Sequence, residues 1–351
     1  MTTQRIAAIP GDGIGNEVLP AAATVLDAAM AAGGAKLQWT WVDWGCDYFV
    51  QHGRMMPTDG IELLAQHDAV FLGAVGRPDV ADHESLWGLL IPIRREFDQY
   101  INLRPTRQFD GVPVRVTMPA GAVVDMVIVR ENTEGEYSEI GGRFGRGTDR
   151  EFALQENVFT RAGIERVSQY AFDVASRRRN KVTSATKSNG IIHSMPFWDE
   201  VVEEVARDYP KVVLEKRLID ALAAELVQRP HEFDVIVASN LFGDILSDLA
   251  AAVVGSLGLA ASANINPERK HPSMFEPVHG SAPDIAGKGI ANPVAAVWSG
   301  AMMLEHLGHK SAADRIMHAI ESTLANPATR TADLGGTANM QQVTDALLAA
   351  L

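Results

Sequence analysis

FDVIVASNLFGDILSDL, at residues 233–249, sets an apolar run directly before a helix-forming stretch. Phe233 to Ala238, which is apolar except for Asp234, is typical of a buried parallel strand, and Asn240 is a residue that favours a helix N-terminus. The same alternation recurs along the chain and predicts an α/β fold with a largely parallel sheet. Further strands are predicted at Arg5–Ile9, Ala69–Leu72, Val123–Val129, Lys181–Thr186 and Lys211–Leu214, and helices at Glu17–Ala32, Ala162–Arg178, Pro196–Tyr209, Ile219–Gln228 and from the Asn292-Pro293 pair to Leu307.

The composition limits the class of protein and its partners. The 351 residues suffice for two domains or one large α/β unit. A formal net charge of −13 makes nucleic acid and anionic membranes unfavourable partners. The single cysteine, Cys46, the lack of a signal-peptide pattern and the lack of an apolar run of about 20 residues predict a cytoplasmic protein that does not span a membrane.

A glycine-rich loop, Gly11-Asp12-Gly13-Ile14-Gly15-Asn16, follows the first strand and precedes a helix. The dinucleotide-binding fingerprint requires glycine at the sixth position, which here is Asn16, and an acidic residue near the end of the next strand. Residues 31–36, AAGGAK, supply no such acid. The loop is therefore either a tight turn alone or a turn that also contacts one edge of an active-site cleft.

Two aspartates, Asp244 and Asp248, are four residues apart and share one face of the predicted helix. Because neighbouring carboxylates repel each other, a bound divalent cation would stabilise the pair, and hard oxygen ligands favour Mg²⁺ or Mn²⁺. The alternative is a solvated acidic face. Asp220, in the first turn of an upstream helix, is a third candidate ligand or an acid that favours the helix dipole.

Three arginines, Arg94, Arg104 and Arg130, form the basic group that an acidic chain needs to bind an anion. Arginine binds carboxylates through two parallel hydrogen bonds. The group therefore predicts a carboxylate-bearing substrate. The alternative is a set of surface salt bridges.

Five segments in order give the chain a resemblance to a known family. PGDGIG at 10–15, NLRP at 102–105, RENTEGEYS at 130–138, NLFGDILSDL at 240–249 and EPVHGSAPDIAGKGIANP at 276–293 resemble motifs of the β-decarboxylating dehydrogenases, which act on isopropylmalate, isocitrate, tartrate or D-malate. The stretches at 82–105 and 183–190 resemble the tartrate and D-malate branch most.

The resemblance implies a two-domain isopropylmalate-dehydrogenase-like fold, which is not a Rossmann fold. Residues 1–98 plus 252–351 would form a cofactor-side domain, and residues 99–251 a domain for substrate, metal and dimerisation. The family's homodimers share their active sites between subunits.

The resemblance also implies a role for each candidate residue. Asp244, Asp248 and Asp220 of the partner subunit would bind the metal, and Arg94, Arg104 and Arg130 the substrate carboxylates. Lys187, supplied by the partner, would take the proton of the 2-hydroxyl, and Tyr137 would deliver a proton to C3. Outside the family context, these two residues are typical of a surface lysine and an interior tyrosine.

The implied cofactor is NAD, with Mg²⁺ or Mn²⁺ and with a K⁺ requirement left open. Asp284 would accept hydrogen bonds from the adenosine ribose and repel a 2′-phosphate. Relatives that prefer NADP have a lysine and a tyrosine at the two positions that Asp284 and Ile285 occupy in this chain. The full set of implied cofactor contacts is Asn189, Glu276, His279, Gly280, Ser281, Ala282, Asp284 and Asn292.

The substrate pocket is expected just before Arg94, where Trp87 and Leu90 would line it. The indole of Trp87 occupies space that an isopropyl group needs, which favours D-malate or tartrate. The alternative enzyme is 3-isopropylmalate dehydrogenase of leucine biosynthesis. The non-enzyme alternatives are a catalytically dead regulatory subunit and a binding protein for small acids.

Overall fold

The computed structural model describes residues 3–351, which alternate between strands and helices. The strands in chain order are β1 (Thr3–Gly11), β2 (Lys36–Trp41), β3 (Ala69–Ala74), β4 (Ile101–Arg107), β5 (Asp125–Glu131), β6 (Gly141–Phe144), β7 (Phe152–Gln155), β8 (Lys181–Thr186), β9 (Val213–Leu218), β10 (Val235–Ala238), β11 (Ala261–Ile265) and β12 (Ser273–Pro277). The helices are α1 (Gly15–Ala32), α2 (Cys46–His52), α3 (Gly60–Leu64), α4 (Asp82–Ser85), α5 (Ile91–Glu96), α6 (Arg161–Ser176), α7 (Ser194–Ala206), α8 (Ile219–Gln228), α9 (Asn240–Val254), α10 (Val294–His306), α11 (Lys310–Ala325) and α12 (Met340–Ala349).

The chain divides into two compact units. The first unit contains Met1–Gln99, Arg107–Arg115 and Ala251–Leu351, and the second contains Tyr100–Thr106 and Val116–Ala250. Each unit therefore draws on separate stretches of the chain.

The first unit contains strands in the order β2-β1-β3-β12-β11. Neighbours are parallel up to β12, and β11 runs antiparallel to β12. All six residues of β3 are buried, as expected for a parallel strand covered on both faces. Helix α10 is almost wholly buried and packs against β12 and α11.

The second unit contains strands in the order β4-β5-β10-β8-β9, of which β5, β10, β8 and β9 are parallel. Helices α6 and α7 pack against each other and against this sheet. A separate antiparallel hairpin, β6-β7, carries the stacked rings of Phe144 and Phe152, which are both exposed. The largely parallel α/β architecture confirms the predicted fold class.

Most predicted elements are present, with errors at their ends. The strand predicted at Lys211–Leu214 lies at Val213–Leu218, because its outward residues are polar and leave no apolar run. Asn240 does not cap α9 with its side chain but is the first helical residue, and its side-chain oxygen accepts from Arg130. No helix within residues 3–351 is long and apolar enough to cross a membrane.

Candidate active site

Helix α9 carries the two aspartates, and two buried arginines lie against them. The Nη1 atom of Arg130 pairs with Oδ1 of Asp244. Nη1 of Arg104 lies 3.1 Å from the same oxygen and 3.5 Å from Oδ1 of Asp248. The repulsion between the two aspartates, from which a bound metal was predicted, is already compensated by the charges that β4 and β5 bring, and the metal itself stays a prediction.

The arginines are held by side chains of the same helix. Nε and Nη2 of Arg130 donate to Oδ1 of Asn240 at 3.1 and 2.7 Å, and Nη1 of Arg104 donates to Oγ of Ser247 at 2.6 Å. Only 7% of Arg104 and 3% of Arg130 is exposed, so neither forms a surface salt bridge. Buried guanidinium groups with fixed donors are suited to bind a carboxylate.

Sequence reasoning missed the supporting residues on α9, although a signal was present. Asn240, Gly243 and Ser247 have the same helical spacing as the aspartates and therefore lie on the same face. A Cβ at Gly243 would lie 2.6 Å from Cβ of Arg130, which is closer than two carbons can approach. Gly243 thus allows β5 to pack directly against the helix.

The pKa of Asp248 reflects its burial and the mixed charges around it. Burial raises the pKa of Asp248, and the charge of Asp244 adds to this, while Arg104 and Arg130 act in the opposite direction. Asp248 keeps 55% of its side chain exposed and is open to a ligand. Within residues 3–351, however, no group of three His, Cys, Asp or Glu side chains is placed to hold a metal ion.

Tyr137 joins this cluster from the loop after β5. Its hydroxyl donates to Oδ2 of Asp244 at 3.2 Å, and the guanidinium of Arg130 faces its ring at 5.6 Å. Glu136 fixes the loop to the start of α9, because its carboxylate accepts from Oγ of Ser239 at 2.7 Å and from N of Leu241 at 3.1 Å. The tyrosine is thus positioned by the same helix that carries the aspartates.

A buried carboxylate, Glu131, shapes the first turn of this loop. Its two oxygens accept from N of Thr133 and N of Glu134, both at 2.9 Å. Burial raises the pKa of Glu131 to about 7 despite these hydrogen bonds. Glu131 was not among the residues predicted from the sequence.

Lys187 and Asp220 form a pair elsewhere in the second unit. Nζ of Lys187 lies 2.6 Å from Oδ1 of Asp220, and this hydrogen bond lowers the pKa of the carboxyl group. Asn189 is exposed in the turn that follows Lys187. The two residues that the family resemblance assigns to a partner subunit thus lie together in one chain.

Arg94 lies in the first unit, on α5. Its Nη2 donates to Oε1 of Glu276 at 2.8 Å, and both side chains are buried. Glu276 also accepts from Nδ2 of Asn264 at 2.8 Å. Arg94, expected to bind substrate, and Glu276, expected to bind cofactor, are thus bonded to each other in this structure.

The predicted pocket residues Trp87 and Leu90 lie in a π-helical turn, Leu86–Leu90, between α4 and α5. Both are half-buried. The guanidinium of Arg95 faces the Trp87 ring at 5.0 Å. Such turns are frequent at functional sites.

The loop after β12 carries the residues expected to contact the cofactor. Burial lowers the pKa of His279, so its ring is neutral near pH 7, and its buried Nε2 has no hydrogen-bond partner within residues 3–351. Ala282 has a φ of +42°, which is rare for a residue with a side chain. Gly280 and Asp284 are exposed.

The glycine-rich loop packs directly against this segment. N of Ile14 donates to O of Ser281 at 2.8 Å. Gly13, with a φ of +53°, would place a Cβ 2.0 Å from that oxygen. Of the two interpretations left open, the structure shows a tight turn that also contacts the predicted cofactor segment. At the far end of the segment, Asn292 donates to Asp333 at 3.1 Å.

The parallel α/β units and the cluster of buried arginines and aspartates agree with an enzyme of the dehydrogenase class, and the comparisons with known proteins assign that class. The family model for isocitrate/isopropylmalate dehydrogenases matches residues 5–347, and the chain belongs to this family of oxidoreductases. Membership implies a nucleotide cofactor and a divalent metal in general terms.

Several relatives are similar over nearly the whole chain. D-malate dehydrogenase [decarboxylating] of Escherichia coli is 54% identical over 99% of this chain and 98% of its own length. Tartrate dehydrogenase/decarboxylase of Pseudomonas putida is 55% identical over 97% and 95%. The crystal structure of isocitrate dehydrogenase from Methylococcus capsulatus superimposes with a TM-score of 0.89 at 38% identity, covering 99% of both chains. The predicted family, and its tartrate and D-malate branch, are confirmed.

Proposed function

We propose that the protein catalyses the NAD-dependent and divalent-metal-dependent oxidative decarboxylation of a small malate-type 2-hydroxy diacid. D-malate would yield pyruvate and CO₂, and tartrate is the second candidate substrate. The observation that carries the proposal is the cluster in the second unit, where Arg104, Arg130 and Tyr137 meet Asp244. The identities of 54 and 55% to D-malate and tartrate enzymes support it.

The arginines would bind the substrate carboxylates. Arg104 and Arg130 already bind carboxylates here, those of Asp244 and Asp248. A dicarboxylate would take over these hydrogen bonds, and Arg94 would contribute on leaving Glu276. The substrate is then held by several charge-assisted bonds before any proton moves.

Two proton transfers would be made by protein side chains. Lys187 of the partner subunit would accept the proton of the 2-hydroxyl, for which its amine must be neutral. Tyr137 would donate its proton to C3 after CO₂ has left. Its hydroxyl already lies at the centre of the cluster, 3.2 Å from Asp244.

The metal ligands would be Asp244, Asp248 and Asp220 of the partner subunit. Carboxylate oxygens are the donors that Mg²⁺ and Mn²⁺ prefer. When bound, such an ion polarises the oxygen on C2. A ligand from a partner accounts for the incomplete set in one chain.

NAD is the proposed nucleotide, and when bound it accepts a hydride. The segment from His279 to Asn292, with Glu276 and Asn189, would form its site. The neutral, half-buried ring of His279 suits an uncharged contact with the nucleotide. Asp284 is exposed, so its carboxylate is available to a ribose and would repel a 2′-phosphate.

A homodimer with shared active sites is the proposed assembly, with residues 99–251 as the dimerisation domain and the two chain ends as the cofactor side. The hairpin β6-β7 supports this proposal. It exposes Phe144, Phe152 and Leu154, which are costly to leave in water. We place the dimer in the cytoplasm, where the unpaired Cys46 stays reduced.

The test is a substrate panel on the purified protein with Mn²⁺. D-malate, the tartrate isomers, 3-isopropylmalate and isocitrate are each assayed for NADH and NADPH formation. We expect D-malate or a tartrate isomer with NAD⁺ to give the highest kcat/KM, because Trp87 narrows the pocket. A higher kcat/KM with 3-isopropylmalate, or with NADP⁺, would contradict the proposal. If no substrate gives NADH or NADPH, with or without Mn²⁺, the protein would be a regulatory subunit or a binding protein.

A further inference from the structure

A cationic cavity of about 400 Å³ lies at the edge of the first unit's sheet where the strands begin. The strand register places Ile6, Ala69 and Ser273 side by side. Most residues that line the cavity come shortly before one of these three positions in the chain, and the others lie at the end of α10. The lining residues are Gln4, Arg5, Ala65, His67, Asp68, Arg269, Lys270, His271, Pro272, His306 and Leu307. The glycine-rich loop and the predicted cofactor segment follow the opposite ends of β1 and β12. Neither therefore accounts for the cavity.

The charge of the lining is opposite to that of the protein. Arg5, Arg269 and Lys270 line the cavity together with a single carboxylate, Asp68, in a chain of net charge −13. Asp68 accepts from N of Arg5 at 2.7 Å and lies 3.9 Å from its guanidinium. Within residues 3–351, no ion pair engages the side chain of Arg269 or Lys270. The cavity thus concentrates positive charge that the protein itself does not neutralise.

The imidazoles of the lining are held in place by packing. His271 stacks on the buried ring of Phe97, with centroids 6.0 Å apart, and His306 packs against Phe275 at 5.6 Å. Burial, aided by the charge of Arg269, lowers the pKa of His306 to about 4, so this ring offers a hydrogen bond rather than a charge near pH 7. Fixed rings lose little conformational freedom when a ligand binds.

The turn that carries Arg269 and Lys270 is also held by hydrogen bonds. The buried Asn266 accepts from N of Arg269 with its backbone oxygen at 3.0 Å and from N of Lys270 with its side chain at 2.9 Å. Arg269 adopts a φ of +55°, which an arginine rarely occupies. Such strain persists where the surrounding structure imposes it, often at ligand sites.

We propose that this cavity is a binding site for a phosphate dianion. The guanidinium of Arg269 and the ammonium of Lys270, with Arg5 already paired with Asp68, match the double charge and the several acceptor oxygens of a phosphate better than those of a monocarboxylate. The volume exceeds that of inorganic phosphate and leaves room for a small ester. The shared chemistry is therefore the phosphate group, either free or on a sugar-sized metabolite.

The test is isothermal titration calorimetry of the full chain at pH 7 and constant ionic strength, without metal or nicotinamide nucleotide. Inorganic phosphate and ribose 5-phosphate are the two probes, and tighter binding of the ester would identify the ester as the ligand form. We expect saturable binding of phosphate to the parent protein. The Kd of Lys270→Gln should be roughly tenfold higher, because one charge-assisted hydrogen bond is lost.

Lys36→Gln is the matched control, since it removes the same charge from an exposed position of the first unit outside the cavity. It should leave the Kd unchanged. Thermal unfolding verifies that both variants fold, and Arg269→Gln provides a second loss of charge at the cavity. The proposal is overturned if the parent shows no saturable binding, or if Lys270→Gln and Arg269→Gln bind phosphate as the parent does.

Discussion

Arg130 shows how much of the site depends on single residues. It is buried, it is held by Asn240, it pairs with Asp244 and it faces the ring of Tyr137. A buried guanidinium costs free energy unless all its donors are satisfied. The residues around it meet that requirement, and the proposed chemistry uses the same charge to bind substrate.

The pH dependence of stability provides a test of the loop that carries Tyr137. The pKa of Glu131 is raised by burial from 4.5 to about 7. Between these values the folded protein binds more protons than the unfolded chain, so the free energy of unfolding falls as pH rises. The stabilising contribution is complete below pH 4.5 and is lost as pH passes through about 7. The slope for one group is at most about 1.4 kcal/mol per pH unit.

The measurement compares the parent with Glu131→Gln, which cannot titrate at this position. Urea unfolding of both proteins is followed between pH 4.5 and 7.5. We expect the difference in unfolding free energy, parent minus variant, to decrease steadily up to about pH 7 and then to level off. A difference that stays constant or grows with pH would contradict the assignment.

The aspartates could be predicted from sequence, whereas their partners could not. Asp244 and Asp248 follow a helical spacing that is visible in the chain. Arg104 and Arg130 are more than 100 residues away and reach the aspartates only because β4 and β5 belong to the same unit as α9. A local pattern cannot show such a contact, and the metal was therefore inferred from a repulsion that the fold already compensates.

At the scale of elements, the contact between α9 and β5 depends on Gly243. Alanine favours a helix over glycine by about 1 kcal/mol, so Gly243→Ala would stabilise an isolated helix. Here the new Cβ would lie 2.6 Å from Cβ of Arg130. Overpacking of this kind costs about 1–3 kcal/mol, and it would push Arg130 away from Asp244. The steric effect therefore outweighs the helix propensity.

We expect Gly243→Ala to lower the free energy of unfolding by about 1–2 kcal/mol and to raise KM for the dicarboxylate. Chemical denaturation and steady-state kinetics measure the two effects. Gly33→Ala is the control, because its added Cβ would meet only atoms at 3.5 Å at the end of α1. An unchanged KM in Gly243→Ala would show that the close approach does not position Arg130.

Two elements were predicted with correct bounds, whereas an exposed hairpin was missed. β8 at Lys181–Thr186 and α8 at Ile219–Gln228 were predicted with the bounds that the structure shows. The hairpin β6-β7 was missed, since all eight of its residues are exposed and its partner strands lie on either side of a polar loop. A strand that pairs only locally leaves no buried pattern in the sequence.

At the scale of the whole molecule, the assignment of active-site residues to two subunits is the strongest consequence of the proposal. The pair Lys187–Asp220 and the cluster around Asp244 lie in the same unit, yet the described chain holds no three-ligand metal group. Under the proposal, each metal site takes Asp244 and Asp248 from one chain and Asp220 from the partner subunit. Each site then requires intact residues from both subunits.

Subunit mixing tests this arrangement. Asp220→Asn and Asp244→Asn subunits should each be inactive as homodimers, whereas a mixed dimer has one site with all three aspartates. Random reassembly gives half mixed dimers with one of two sites intact, so activity should recover to about one quarter of the parent's. Asp244→Asn mixed with Asp248→Asn is the control, because both changes affect ligands from the same chain and no intact site forms. Recovery in both mixtures, or in neither, would show that the metal ligands are not shared between subunits.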